Sequence, residues 1–179
     1  MRVLGIDPGT LTAGWGVLEK CEGQIRRLGS GALPLGTSSV PIAERLCRLR
    51  EEILKLLETW EPECLIVESA YFGRNARSAL RLGEARGCVL VTAAEQGVAV
   101  CEMAPAQVKR RVAGVGNATK DQVARFVAVH LEIEGLTGGD EADALAVALC
   151  GLFELEGVLA ESRTKVNERD ILPPGVSPA

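Results

Sequence analysis

Met1-Arg2-Val3-Leu4-Gly5-Ile6-Asp7-Pro8-Gly9-Thr10 is a short apolar run that carries one carboxylate and is stopped by Pro-Gly. Val3, Leu4 and Ile6 read as a buried strand and Pro8-Gly9 as a turn. Thr12 to Glu19, with Trp15 and Val17 alternating against Gly14 and Gly16, reads as the returning strand of a hairpin. Asp7 therefore falls within a core strand. An unpaired carboxylate is costly there, so Asp7 is protonated, paired with a cation or bound to metal. The alternative is a turn cap, the commonest use of Asp before Pro-Gly.

Outward from this stretch, Gln24 to Leu33 reads as a third strand closing an antiparallel meander. Ile42, Leu46, Leu49, Ile53, Leu56 and Trp60 recur at helical spacing and predict a long amphipathic helix ending before Glu61-Pro62. Cys64-Leu65-Ile66-Val67 then has the continuous apolar character of a strand buried on both faces. It too ends in an acid, Glu68. A strand-helix-strand crossover sets this strand beside the first, in parallel, with the two acids close together. Packing alone does not explain two core strands that each end in a carboxylate, because such groups are seldom buried without partners.

A second helix is predicted over about Asn75 to Gln96, with Arg74, Arg77 and Arg81 spaced to share a face. Its small residues Ala79, Gly83, Gly87 and Ala94 suit either close packing on its own sheet or a helix–helix dimer contact. Val98 to Met103 is a further strand, and Ala106 to Ala113 a short helix carrying Lys109, Arg110 and Arg111. Thr119-Lys120-Asp121-Gln122 has capping-box spacing and opens a helix through Val123, Phe126, Val127 and His130. The single histidine reads as structural. Asp140 and Asp143 fall on one face of the last helix's first turn, where acids also simply suit the helix dipole. After about Ala160 the chain turns polar and proline-rich, which predicts one domain over 1–160 and a mobile tail over 161–179.

The chain's 179 residues and 47% apolar content suit one domain with a sizeable core. Neither a signal peptide nor a membrane-spanning run is legible, so a cytoplasmic protein is expected. The 6 cysteines lack metal-site spacing and are expected as buried reduced thiols. A net charge of −4 means that a nucleic-acid partner requires positive charge gathered locally. Arg74, Arg77, Arg81, Lys109, Arg110, Arg111 and Lys120 supply it in the segments nearest the acids.

Asp7, Glu68, Asp140 and Asp143 together repel one another unless they hold hard divalent cations, which points to Mg²⁺ or Mn²⁺. Two such ions about 3.5–4 Å apart activate water on one side of a phosphodiester and stabilise the leaving oxygen on the other.

At this point the sequence resembles the RuvC-type crossover (Holliday) junction endodeoxyribonucleases of the RNase H-like superfamily, over about Val3 to Leu159. The resemblance rests on several blocks in order. They are Gly5-Ile6-Asp7-Pro8-Gly9, Val67-Glu68, Asn75-Ala76 with Ser78-Ala79-Leu80 and Leu82-Gly83, Gln107-Val108-Lys109, Gly114-Val115-Gly116 with Lys120, and Asp140 with Asp143-Ala144-Leu145-Ala146. It implies an α/β, three-layer fold around a five-stranded mixed sheet flanked by helices. It further implies a homodimer and metal-dependent paired nicking of four-way DNA junctions, alongside branch-migration proteins of the RuvA and RuvB type. In this reading Asp7, Glu68, Asp140 and Asp143 are the catalytic metal ligands, although some members carry histidine where Asp140 stands. Tyr71 or the adjacent Phe72 stacks at the junction centre, Tyr71 being favoured because it stands where phenylalanine is frequent in the family, and Arg74, Arg77, Lys109 and Lys120 contact phosphates. An actin-like or sugar-kinase-like phosphotransferase would need a second glycine-rich phosphate hairpin, which is missing. An RNase H-like nuclease acting on RNA and a DNA-binding module without chemistry are the other rivals.

Overall fold

The structure is a computed structural model that describes residues 1–69 and 76–170, with side-chain surroundings as far as Leu155. In chain order it contains β1 (Arg2–Asp7), β2 (Thr12–Cys21), β3 (Gln24–Pro34), α1 (Ile42–Trp60), β4 (Cys64–Glu68), α2 (Ala76–Glu95), β5 (Ala99–Met103), α3 (Pro105–Ala113), α4 (Lys120–His130) and α5 (Asp140–Asp170). Among the described residues the sheet has the order β3-β2-β1-β4-β5. The β1–β2 and β2–β3 pairs are antiparallel, whereas β4 runs parallel to both β1 and β5. The mixed α/β sheet expected from the resemblance is thus present. The helix α1 provides the crossover that a parallel β1–β4 pair requires.

Strand periodicity sorts the side chains into two cores. Leu4, Ile6, Leu65 and Val67 pack with Leu49, Ile53 and Val89 under α1 and α2. Val3, Cys64 and Ile66 face the opposite way, toward Val108, Val127 and Leu149 of α3, α4 and α5. Side chains alternate across a strand, so Asp7 and Glu68 continue the second series and emerge beneath α5. Trp15 and Trp60 meet on the α1 side with ring centroids 6.4 Å apart.

The helix α5 lies almost backbone to backbone on β1 and β2. A Cβ on Gly5 would fall 2.4 Å from the Ala144 carbonyl oxygen, and one on Gly14 would fall 1.8 Å from that of Asp140. Only glycine permits this approach, and Gly14 is the register partner of Asp7.

Three expectations change. The helix α5 continues to Asp170, ten residues beyond the change to polar composition at Ala160, because polar side chains alone do not end a helix and the first proline comes at Pro173. Residues 171–179 of the expected tail lie outside the described residues. Cys64 and Cys150 are buried, but Cys21 and Cys47 are exposed at a strand end and on the solvent side of α1. Gly83 and Gly87 do not pack on their own sheet, since a Cβ at either would meet nothing within 4 Å. The buried face of α2 is instead Ala85, Val89, Thr92 and Ala93.

Candidate active site

The last β1–β4 register pair is Ile6 with Val67, so Asp7 and Glu68 stand next to each other at the strand ends, on the same face. From above, α5 brings its first turn, and Asp143 joins them in one cleft. The opposite rim belongs to α3 and α4, which contribute Lys109 and Lys120. The capping box predicted for α4 is present: the Thr119 hydroxyl accepts from the Gln122 amide, and Gln122 accepts in return from the Thr119 amide. It fixes the start of α4 and thereby the root of Lys120.

The electrostatics are those of acids crowded in a poorly hydrated place. The Asp7 carboxyl is pushed up to about 7, first by burial, then by the charges of Asp143 and Glu68, with Lys120 opposing. Glu68 is also raised, again by burial first and Asp143 second, while Lys120 and Lys109 pull the other way. The Lys120 ammonium donates to the Asp143 carboxylate at 2.5 Å, and this hydrogen bond raises its own pKa. Lys120 is 75% exposed, so the pair contributes about 1 kcal/mol at most and yields readily to a stronger cation.

Among the described residues no three acidic, histidine or cysteine side chains converge closely enough to enclose a metal ion. The donor chemistry nonetheless suits a hard divalent cation: three carboxylates share a half-buried cleft, the charge of Asp143 raises both Asp7 and Glu68, and one displaceable lysine offsets them. Asp140 stands on the same first turn of α5 as Asp143 and also raises Asp7 by its charge, as the fourth acid expected there. Its backbone rests on Gly14, and it acts on Asp7 as the weakest of the resolved charges.

The cationic residues divide. Lys109 and Lys120 border the acids. Arg77 and Arg81 instead line a separate groove with Thr10, Leu11 and Arg45 beside the β1–β2 turn, and Arg81 pairs with Glu84. Arg111 is engaged by Glu154. Tyr71 and Arg74 lie outside the described residues. His130 sits away from the cleft, its ring nitrogen on the Phe126 carbonyl at 2.8 Å and its edge on Phe153.

Two arginines that support the site escape a reading of the sequence. Arg45, on the amphipathic helix α1, is only 7% exposed. It donates to the Thr10 carbonyl at 2.7 Å and the Val40 carbonyl at 3.1 Å, holding the turn that follows Asp7. Arg86, on α2, donates to the Glu68 main-chain carbonyl at 3.3 Å. In each case the available signal is an arginine adjoining the apolar face of its helix.

A carboxylate cleft rimmed by lysines, at the ends of neighbouring parallel strands of this mixed sheet, defines a nuclease of the RNase H-like fold. A model of the family described as crossover junction endodeoxyribonuclease RuvC matches residues 3–151. Curated relatives of that description include one from Roseiflexus, 41% identical over 153 residues (85% of this chain, 90% of the relative), and one from Myxococcus xanthus, 44% identical over 154 residues (85% and 80%). Among solved structures, RuvC of T. thermophilus in complex with a Holliday junction substrate is 37% identical with a TM-score of 0.80, covering 87% of this chain and 94% of that one. The chain belongs to the RuvC family of crossover junction endodeoxyribonucleases.

Proposed function

We propose that this nuclease resolves four-way DNA junctions by paired, metal-dependent nicks in strands of like polarity, leaving 5′-phosphate and 3′-hydroxyl ends, during homologous recombination and repair in the cytoplasm. The observation that carries the reading is the Asp7 carboxyl, pushed up to about 7 in a cleft shared with Glu68 and Asp143. A group so placed favours binding a cation over standing charged alone.

Asp7, Glu68, Asp140 and Asp143 would hold Mg²⁺ or Mn²⁺, two ions per site. The ions supply Lewis acidity toward the attacking water and the leaving 3′-oxygen. Lys120, released from Asp143, and Lys109 neutralise phosphates of the bound strand, while Arg77 extends the contact along the groove by the β1–β2 turn. Arg74 and Tyr71 follow Glu68 directly in sequence. In this reading the arginine meets phosphate and the tyrosine ring stacks on an unpaired base.

Two nicks require two sites, and a two-fold homodimer presents them symmetrically. The supporting feature is the solvent side of α2, where Leu80 and Val91 are 70% and 58% exposed around the unoccupied spaces at Gly83 and Gly87. Residues 1–160 form the nuclease unit, 161–179 are an appendage to it, and branch-migration proteins of the RuvA and RuvB type deliver the junction.

The test offers the protein a synthetic four-way junction, a linear duplex and an RNA–DNA hybrid side by side, with and without Mg²⁺ or Mn²⁺. The junction should be cut in symmetric pairs of nicks only when metal is present. Preferred cutting of the hybrid would replace this reading with an RNA-directed one, and junction binding without any cutting would leave only a binding module.

A further inference from the structure

The end of β4 is held on one side only. Glu68 pairs with Met103 of β5, and the next amide, Ser69, donates to the Met103 carbonyl at 2.9 Å. On the β1 side the ladder has already stopped at Val67. The guanidinium of Arg86 reaches this end from α2: its Nε donates to the Glu68 carbonyl at 3.3 Å, and its Nη2 pairs with the Glu102 carboxylate on β5. The arginine side chain is 18% exposed and Glu102 is 47% exposed, so solvent reaches the far end of the bridge but little of its middle. One planar group therefore ties α2, β4 and β5 together at the residue that carries a site carboxylate.

We infer that Arg86 is a positioning residue for Glu68: it fixes the main chain at the end of β4 so that the carboxylate stays on the α5 side, in line with Asp7 and Asp143. The inference rests on the proposed metal-dependent reading for its effect on catalysis, but not for its effect on the backbone. A lysine cannot replace the arginine here. Its single nitrogen does not span a carbonyl and a carboxylate in two directions, as the guanidinium fork does. Loss of a group that orients a metal ligand typically costs about 10–100-fold in metal affinity or activity.

The test compares wild type with Arg86→Gln, Arg86→Lys and Glu102→Gln in three measurements. The first is amide hydrogen exchange at Ser69, read on the metal-free protein. The second is Mn²⁺ binding by calorimetry in the absence of DNA. The third is kcat and KM on a four-way junction. Arg86→Gln should speed exchange at Ser69 while leaving the β1–β2 amides protected, weaken Mn²⁺ binding about tenfold or more, and lower kcat with KM unchanged. Arg86→Lys should recover part of each effect, and Glu102→Gln should move all three in the same direction by less. Wild-type exchange at Ser69 in Arg86→Gln overturns the inference. So does faster exchange across the whole sheet with a matching loss of thermal stability, since Arg86 would then be a general stabiliser. A wild type that fails to cut junctions would instead sink the functional reading and leave the exchange result standing on its own.

Discussion

The two faces of the sheet are built from different materials. Under α1 and α2 the strands present Leu4, Ile6, Leu65 and Val67, all fully buried, to leucine, isoleucine and valine. Under α5 the same strands present Gly5, Gly14 and Gly16, and then Asp7 and Glu68. Both faces carry an apolar core, but the second gives up side-chain volume at Gly5, Gly14 and Gly16 so that a helix can deliver its first turn to the strand ends. Both faces thus hold the fold together, and the strand-end part of the second also gathers charge at a cost in stability. Substitutions on the two faces should fail in opposite ways.

The sharpest contrast lies in the acids. Asp7→Asn, Glu68→Gln and Asp143→Asn should each lower cleavage by about a thousandfold with junction binding retained, as gel-shift and nicking assays on one preparation would reveal. Asp140→Asn should act in the same direction by less, since it is the weakest of the three acids that raise Asp7. The same Asp7→Asn change should stabilise the metal-free protein. The folded-state pKa of Asp7 is raised to about 7, so its penalty is absent in acid, grows as pH rises from the ordinary carboxylate range toward 7, and is complete above that. Melting midpoints should therefore separate mutant from wild type at about pH 8 and converge at about pH 4. Equal midpoints at both would mean that Asp7 is not strained.

On the opposite face, Leu65→Ala should cost about 2–5 kcal/mol of stability in denaturant titrations while each folded molecule cuts at the wild-type rate. A specific loss of activity there would break the division between the faces. Gly14→Ala should be intermediate and of mixed character. Overpacking against Asp140 should cost roughly 1–3 kcal/mol, and activity should fall further than the folded fraction because the first turn of α5 is displaced. The smallest effect belongs to the rim, where Lys109→Ala and Lys120→Ala should each flatten the dependence of log affinity on log salt by about one unit. An unchanged slope in both variants would move the DNA path elsewhere.

Much of this was legible in the chain itself because strands and helices write periodicity into sequence. Val3 to Ile6 and Cys64 to Val67 declare buried strands, and a period of two puts Asp7 and Glu68 on one face. The capping box at Thr119 is local chemistry and reads directly. What stays hidden depends on groups brought together from distant positions. Arg45 looks like one more charge on an amphipathic helix until it meets Thr10, and Arg86 is lost in a stripe of small residues until Glu68 and Glu102 surround it. Gly14 reads as simple strand alternation, since nothing in sequence says that α5 presses on it. The hold of Lys120 on Asp143 likewise depends on where α4 and α5 come to rest.

The pairing of Trp15 with Trp60 gives the protein an optical signature of its own. These are the chain's only 2 tryptophans, and their rings are inclined by 35°, close enough for their electronic transitions to couple. They sit on the α1 side of the sheet, so their near-ultraviolet circular dichroism reports how β2 packs against α1. The metal-free, DNA-free molecule thus carries a spectroscopic channel for folding on the face away from the carboxylates.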